Sequence, residues 1–195
     1  MTTASGDKRA RQIENLTRWL QADTLRWQAL TSAAKLQLND WCLAAGFVRS
    51  LVWDKLHNKK HITELTDIDL VYFDSTDTGR DTDRQLEALL KRCLDLPWSV
   101  KNQARMHRRN DHTAYLSTAD AMSYWPEQET AVGVSLNEDQ SLTLSAPFGL
   151  DSLFAGQITF NAKSNLIEFE RRIKEKRWLT IWPSLQVVRE KQRQQ

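Results

Sequence analysis

The sequence predicts an α/β fold in the broad sense that includes α+β: a single domain with a sheet flanked by helices. Three observations predict it. Residues 40–106 read in order as strand, glycine turn, helix, strand, helix and strand. The middle strand, residues 67–73, alternates Ile68, Leu70 and Tyr72 on one face with Asp67, Asp69, Val71 and Phe73 on the other. Residues 81–94 carry Leu86, Leu89, Leu90, Cys93 and Leu94 at helical spacing.

The remaining elements follow along the chain. Residues 1–10 are polar and read as a flexible lead-in, so the domain is placed at 11–188. Residues 11–38 form a helical layer with Ile13, Leu16 and Leu20 on one stripe. Asp23 and Thr24 break it in two, one of them capping the second helix. Residues 41–45 are a short apolar run ending at Gly46, which reads as a buried strand, a tight turn and a helix over 50–57. Pro97 ends the helix at 81–94, and residues 98–106 form the third strand. A short helix over 117–125 is capped by Ser117 or Thr118 and stopped by Pro126. Residues 131–136 and 142–146 pair as a hairpin, Pro147-Phe148-Gly149 turns the chain, and 164–177 form a last amphipathic helix on Leu166, Phe169 and Ile173. The sheet core spans 40–160, Trp182-Pro183 anchors the exit, and 189–195 are a polar tail.

Composition bounds the function classes. With 195 residues the chain is long enough for a sizeable core, to which eight tryptophans contribute. Hydrophobic residues make up 41% and charged residues 27%, an ordinary globular balance. The 27 basic and 25 acidic residues leave a net charge of +2, too even for bulk charge to imply a nucleic-acid partner. No apolar run suits a membrane span, and the start of the chain lacks the features of a signal peptide. Cys42 and Cys93 lie in apolar segments without metal or redox spacing, which predicts buried free thiols and a reducing, cytoplasmic setting.

The chemistry centres on Asp67 and Asp69. At i and i+2 of a strand they point the same way, about 7 Å apart at Cα. Like charges on a half-buried strand repel and resist desolvation, and a divalent cation between them removes that penalty. Mg²⁺, with Mn²⁺ as an alternative, suits hard oxygen ligands and keeps places open for water and phosphate. The same pattern also fits a strand whose mouth holds two solvated aspartates. Ahead of it, the Gly46 turn opens a helix whose N-terminal N–H groups and dipole suit phosphate, with Arg49 in the first turn. A plain turn and a surface arginine are the simpler readings of those two residues.

Six stretches together resemble a known family. They are Ala45-Gly46-Phe47-Val48-Arg49, Val52-Trp53-Asp54-Lys55-Leu56-His57, Thr66-Asp67-Ile68-Asp69-Leu70-Val71-Tyr72-Phe73-Asp74, Trp98-Ser99-Val100-Lys101-Asn102-Gln103-Ala104-Arg105-Met106-His107, Thr130-Ala131-Val132-Gly133-Val134 and Ala146-Pro147-Phe148-Gly149-Leu150-Asp151-Ser152-Leu153-Phe154. In this order they cover most of residues 40–185 and resemble the small bacterial nucleotidyltransferase-like family of the polymerase-β nucleotidyltransferase superfamily. The resemblance implies a mixed sheet, a glycine turn holding a nucleoside triphosphate (NTP), two carboxylates binding Mg²⁺, and transfer of a nucleotidyl group to an acceptor hydroxyl. Asp67 and Asp69 match the paired carboxylates. Gly46, Phe47 (through its backbone) and Arg49 match the turn.

Two departures stand beside the match. The superfamily turn is Gly followed by Gly or Ser, whereas Gly46 is followed by Phe47. The third carboxylate is missing from the strand at 98–106, where Asn102 offers only a neutral oxygen. Asn102, Arg105 and His107 are expected to line the pocket, the last two sharing a strand face suited to an anion. The expected partners are an NTP and an unidentified acceptor, with nucleic acid allowed but not favoured and no membrane. The second functional expectation is a catalytically degenerate nucleotide- or metabolite-binding module of the same fold. His57 and His61 lack a metal-site context, and Asp54 either orients Arg49 or caps a surface. Asp151 is expected to cap a helix.

Overall fold

The computed structural model describes residues 4–110 and 112–189. Helices α1 (Ala4–Ala22) and α2 (Thr24–Ala34) lead the chain. Asp23 caps α2 by accepting from the Arg26 N–H at 3.1 Å, which is why one helical pattern yields two helices. Helix α1 begins at Ala4, so residues 4–10 are helical and not the expected flexible lead-in. The expected tail lies outside the described residues except Arg189, whose Nε pairs with Glu170 Oε1 at 2.6 Å.

Five strands form the main sheet: β1 (Cys42–Ala44), β2 (Ile68–Tyr72), β3 (Trp98–Asn102), β4 (Gly133–Leu136) and β5 (Leu142–Ser145). Their spatial order is β3-β2-β1-β4-β5. β2 and β3 are parallel and the other pairs antiparallel, so the sheet is mixed. One row across it runs Ser99, Asp69, Ala44, Gly133. Helix α3 (Gly46–Leu56) fills the centre. Its residues from Phe47 to Asp54 are all buried, and it begins four residues earlier than expected because the turn out of β1 consists of Ala45 alone.

The expected strand over 98–106 stops at Asn102. The Asn102 Oδ1 accepts from the Ala104 N–H at 3.0 Å, and this local bond turns the backbone out of the ladder into a tight 3₁₀ turn, Gln103–Arg105. A short helix α5 (His107–Asn110) follows, so Arg105 and His107 share no strand face. Helix α4 (Arg80–Cys93), which packs beside β3, buries Leu90, whereas Leu89 and Cys93 are exposed. Cys93 is therefore not the buried thiol expected, although Cys42 is.

Helix α6 (Thr118–Met122) is capped by Ser117, and helix α7 (Asp151–Phe154) follows the hairpin. Asp151 is the first helical residue and not the cap; its carboxylate accepts from Gln12 at 2.9 Å and pairs with Lys8 at 3.1 Å, tying α7 to α1. Strands β6 (Gln157–Thr159) and β7 (Gln186–Val188) make a small parallel pair around helices α8 (Leu166–Glu175) and α9 (Trp178–Ile181). Helix α8 buries Phe169 and Ile173 but leaves Leu166 exposed. The C-terminal segment is fastened to α3 through Trp53, whose ring lies 5.1 Å from Trp182 and 5.7 Å from Trp178, edge to face. Among the described residues, no helix is long and apolar enough to cross a membrane.

Gly133 sits in the row with Asp69 because a methyl there would overlap the Cys42 Sγ and crowd Ala44. Gly133→Ala should therefore lower stability by about 1–3 kcal/mol, the usual penalty of overpacking. Denaturant unfolding checks this, and Cys42→Ala in the same background should recover part of the loss, because it removes the Sγ but leaves the Cβ at 3.0 Å.

Candidate functional site

The two aspartates stand where β2 enters the sheet, two positions apart along the chain. Asp69 lies between Ser99 on β3 and Ala44 on β1, and Asp67 precedes the strand. Burial first, and then the charge of Asp67, push the Asp69 carboxyl above its ordinary pKa; the Ser99 hydroxyl, Arg49 and Lys176 offset this only in part. Two hard oxygen donors, the buried one of them incompletely balanced, fit a divalent cation that keeps water or phosphate in the rest of its shell. Among the described residues no cluster of three acidic, histidine or cysteine side chains could hold a metal. The positions flanking Asp69 across the sheet are Ser99 and Ala44, so neither carries an acid.

The turn facing these carboxylates carries strain. Ala45 has φ +55° and ψ −125°, a conformation suited to glycine, and it accepts the first helical bond of α3 from Arg49 N–H at 3.0 Å. Ala45 thus holds, as a non-glycine residue, a backbone conformation that glycine adopts freely. A methyl on Gly46 would stand 3.7 Å from Arg49 Nη2 and 3.9 Å from Asp67 Oδ1, so its absence leaves room beside the carboxylates. No side chain caps the leading N–H groups of α3, at the Gly46 end that lines the hollow with Asp67. The Phe47 side chain is fully buried, and its carbonyl accepts from Arg26 Nε at 2.9 Å.

Arg49 is buried beneath the cleft. Its Nη1 donates to the Thr130 hydroxyl at 2.6 Å, its guanidinium lies 4.4 Å from the Trp178 ring, and its Nε has no partner. Burial lowers its pKa to about 10, and Arg172 adds to that, while Glu127, Asp69 and Asp67 pull it back up. Two further cations come from α8 and its C-terminal cap. Arg172 is held by the buried Glu127, with Nε–Oε1 2.7 Å and Nη2–Oε2 3.3 Å, and lines the same cavity of about 250 Å³ as Asp69, Ala45, Lys101 and Thr130. Lys176, one turn later, has its Nζ 4.0 Å from Asp67 Oδ2. Asp67, Gly46, Arg49 and Lys176 line an adjoining hollow with Trp178.

The other expected pocket residues lie elsewhere. Asn102 is fully buried; its Oδ1 accepts from the Asp74 and Ala104 N–H groups, and its Nδ2 donates to the Asp74 and Asp77 carbonyls. Its hydrogen-bonding capacity is used in clamping that loop, which leaves no oxygen for a metal. Arg105 pairs with the buried Asp83 and lines a different cleft. His107 lies on α5 with its ring 6.0 Å from Tyr115. Asp54 neither orients Arg49 nor caps a surface: it is buried and accepts from the Thr63 N–H, the Thr63 hydroxyl and Trp182 Nε1. Local spacing missed Arg172, Lys176, Thr130 and Glu127. The i, i+4 spacing of Arg172 and Lys176 was the one available signal, and it resembles an ordinary solvated helix face.

A family profile described as nucleotidyltransferase matches residues 31–187. No functionally curated protein matches the sequence. An NMR structure described as a CCA-adding enzyme head domain is 31% identical, with a TM-score of 0.78, over 91% of this chain and 96% of that one. Two structures of a tRNA-processing enzyme, one a complex and one an apo form, are 20% and 19% identical with TM-scores of 0.52. They cover 83% and 91% of this chain, which spans less than half of theirs, 43% and 44%; at that identity they show the fold alone.

Two stability measurements test the site without any substrate. The folded pKa of Asp69 is raised above its unfolded value, so its contribution turns unfavourable as pH rises from the unfolded value through the folded one and stays so at neutral pH. Metal-free Asp69→Asn should accordingly melt higher than the wild type at neutral pH, by about 2–4 °C if the relief is ~1 kcal/mol. Mg²⁺ should raise the melting temperature of the wild type and not that of the variant. Ala45→Gly should also melt higher, since the strain relieved, ~1–3 kcal/mol, exceeds the added backbone entropy.

Proposed function

The chain belongs to the nucleotidyltransferase family, and on that footing we propose that it transfers a nucleotidyl group from an NTP to an acceptor hydroxyl, with Mg²⁺ or Mn²⁺ held by Asp67 and Asp69. The observation that carries this reading is the convergence of an uncapped helix N-terminus and three cations on two neighbouring carboxylates, the buried one of which is incompletely balanced. When bound, the metal supplies charge neutralisation at the transferred phosphate and orients it. The leading N–H groups of α3 hold the triphosphate from one side, through the room that Gly46 leaves. Arg172 and Lys176 meet the β- and γ-phosphates from the other, stabilising the negative charge that grows on the leaving group. Arg49 sets the potential of the cleft floor and fixes Thr130. The acceptor oxygen bonds to the α-phosphorus as the bond to the β-phosphate oxygen breaks, and that electron pair departs with pyrophosphate. With no third carboxylate among the described residues beside the pair, the hydroxyl proton leaves to solvent through the open side of the cavity. The two free cysteines fit a reducing, cytoplasmic setting.

The second reading is a module that binds nucleotide without turnover, and the same missing third acid is the observation that favours it. Calorimetric titration with each Mg·NTP separates the two. Wild type should bind in a metal-dependent way, and Asp69→Asn should bind at least about tenfold more weakly, a change of ~1.4 kcal/mol. Arg172→Gln and Lys176→Gln should weaken NTP binding more than nucleoside monophosphate binding. Metal-independent binding, or none by the wild type, would refute transfer; turnover requiring both Asp67 and Asp69 would refute the inert module.

A further inference from the structure

The overall charge of +2 conceals a strongly uneven distribution. Along the β3 edge lies a second cleft, about 690 Å³ in volume, lined by the basic side chains of Arg80, Arg84, Lys101, Arg105, Arg108 and Arg109 against the acidic Asp83 and Glu87. Both acids are engaged within the fold. Asp83 is buried, accepts from the Tyr72 hydroxyl at 2.9 Å and pairs with Arg105, and the Glu87 Oε2 accepts from the Val100 N–H at 3.2 Å. The cleft therefore presents a net positive lining.

The cations are presented on fixed backbone. A four-residue helix cannot hold itself, but α5, which carries Arg108 and Arg109, is wedged by a ring cluster. His107 lies 6.0 Å from Tyr115, Asn110 donates to the Tyr115 hydroxyl at 3.4 Å, and Tyr115 packs at 5.3 Å on Tyr124. The Arg105–Asp83 pair and the Asn102 clamp hold the preceding turn. The cleft also borders the transfer site, because Lys101 and Met106 line both it and the cavity containing Asp69.

We propose that this cleft is an acceptor track for single-stranded nucleic acid. The phosphates of the strand lie along Arg80, Arg108 and Arg109, and its terminal hydroxyl enters the Asp69 cavity past Lys101 and Met106. A positively charged groove that tracks the phosphate backbone is a recurring element of single-strand binding sites, and six basic side chains supply it here. Only the direction of the strand rests on the transfer reading; binding does not.

The test is fluorescence anisotropy of the full chain with a short dye-labelled single-stranded RNA of mixed sequence, across a salt series. The comparison is with Arg80→Gln/Arg108→Gln/Arg109→Gln, three exposed positions outside the transfer site. Wild type should bind with a steep salt dependence. The triple variant should bind at least about tenfold more weakly, with a salt slope shallower by roughly 2, as loss of three phosphate contacts requires. Its melting temperature and Mg·NTP binding should be unchanged. Lys91→Gln/Arg92→Gln, at the far end of α4, should match the wild type. Any of four results would overturn the proposal: no binding by wild type at low salt, triple-variant binding within twofold, an equal loss in the Lys91/Arg92 variant, or competition by polyglutamate or duplex as effective as that by the unlabelled strand. RNA binding that depends on the track, in a chain that binds no NTP, would sink the transfer reading and leave this one standing; the converse would do the opposite.

Discussion

The rest of the structure depends on the burial of α3 against the C-terminal segment. Every residue from Phe47 to Asp54 is withdrawn from solvent, and Trp53 meets Trp178 and Trp182 edge to face. Asp54 would be costly at that depth if unpaired, but it accepts from Thr63 twice and from Trp182 Nε1 once. Those bonds join α3, the loop leading to β2 and the chain end at one point. The leading end of α3, with Gly46 and Arg49, is thereby set against the carboxylates on one side and α8 on the other.

Charge in the cleft is arranged on the same scaffold. Arg49 is held by Thr130 and the Trp178 face, and Arg172 by the buried Glu127, so each cation is oriented before any ligand arrives. Such preorganisation spares a phosphate ligand the cost of ordering long side chains. Asp69 remains incompletely balanced beside the charge of Asp67, which leaves the site most favourable when a cation joins it. Ala45 adds backbone strain at the same spot, a feature that persists only where the surroundings over-determine it.

The β3 edge shows how a single side chain redirects a surface. Asn102 ends the strand by bonding the Ala104 N–H, and the segment from Gln103 to Asn110 leaves the sheet. Arg105 then turns to Asp83, and Arg108 and Arg109 are carried onto the outer cleft. Had the strand continued to Met106, Arg105 would have stood in the ladder and the basic lining would have been dispersed.

What the sequence by itself determined was local and periodic. The alternation of residues 67–73 places Asp67 and Asp69 on one face whatever the sheet around them, and helical spacing located α4 and α8 to within two residues at either end. Gly46 was legible as a turn, and the mixed sheet followed from the family resemblance. What only the tertiary structure decided depends on partners far along the chain. Thr130 lies 81 residues from Arg49, and Glu127 lies 45 from Arg172. The fate of Asn102 turned on a competition between a local side-chain bond and a strand ladder, and strand pattern alone does not resolve such a contest. Net charge, being a sum, could not reveal where the cations gather. Periodicity carries the direction of a side chain, but only the packed chain determines what stands opposite it.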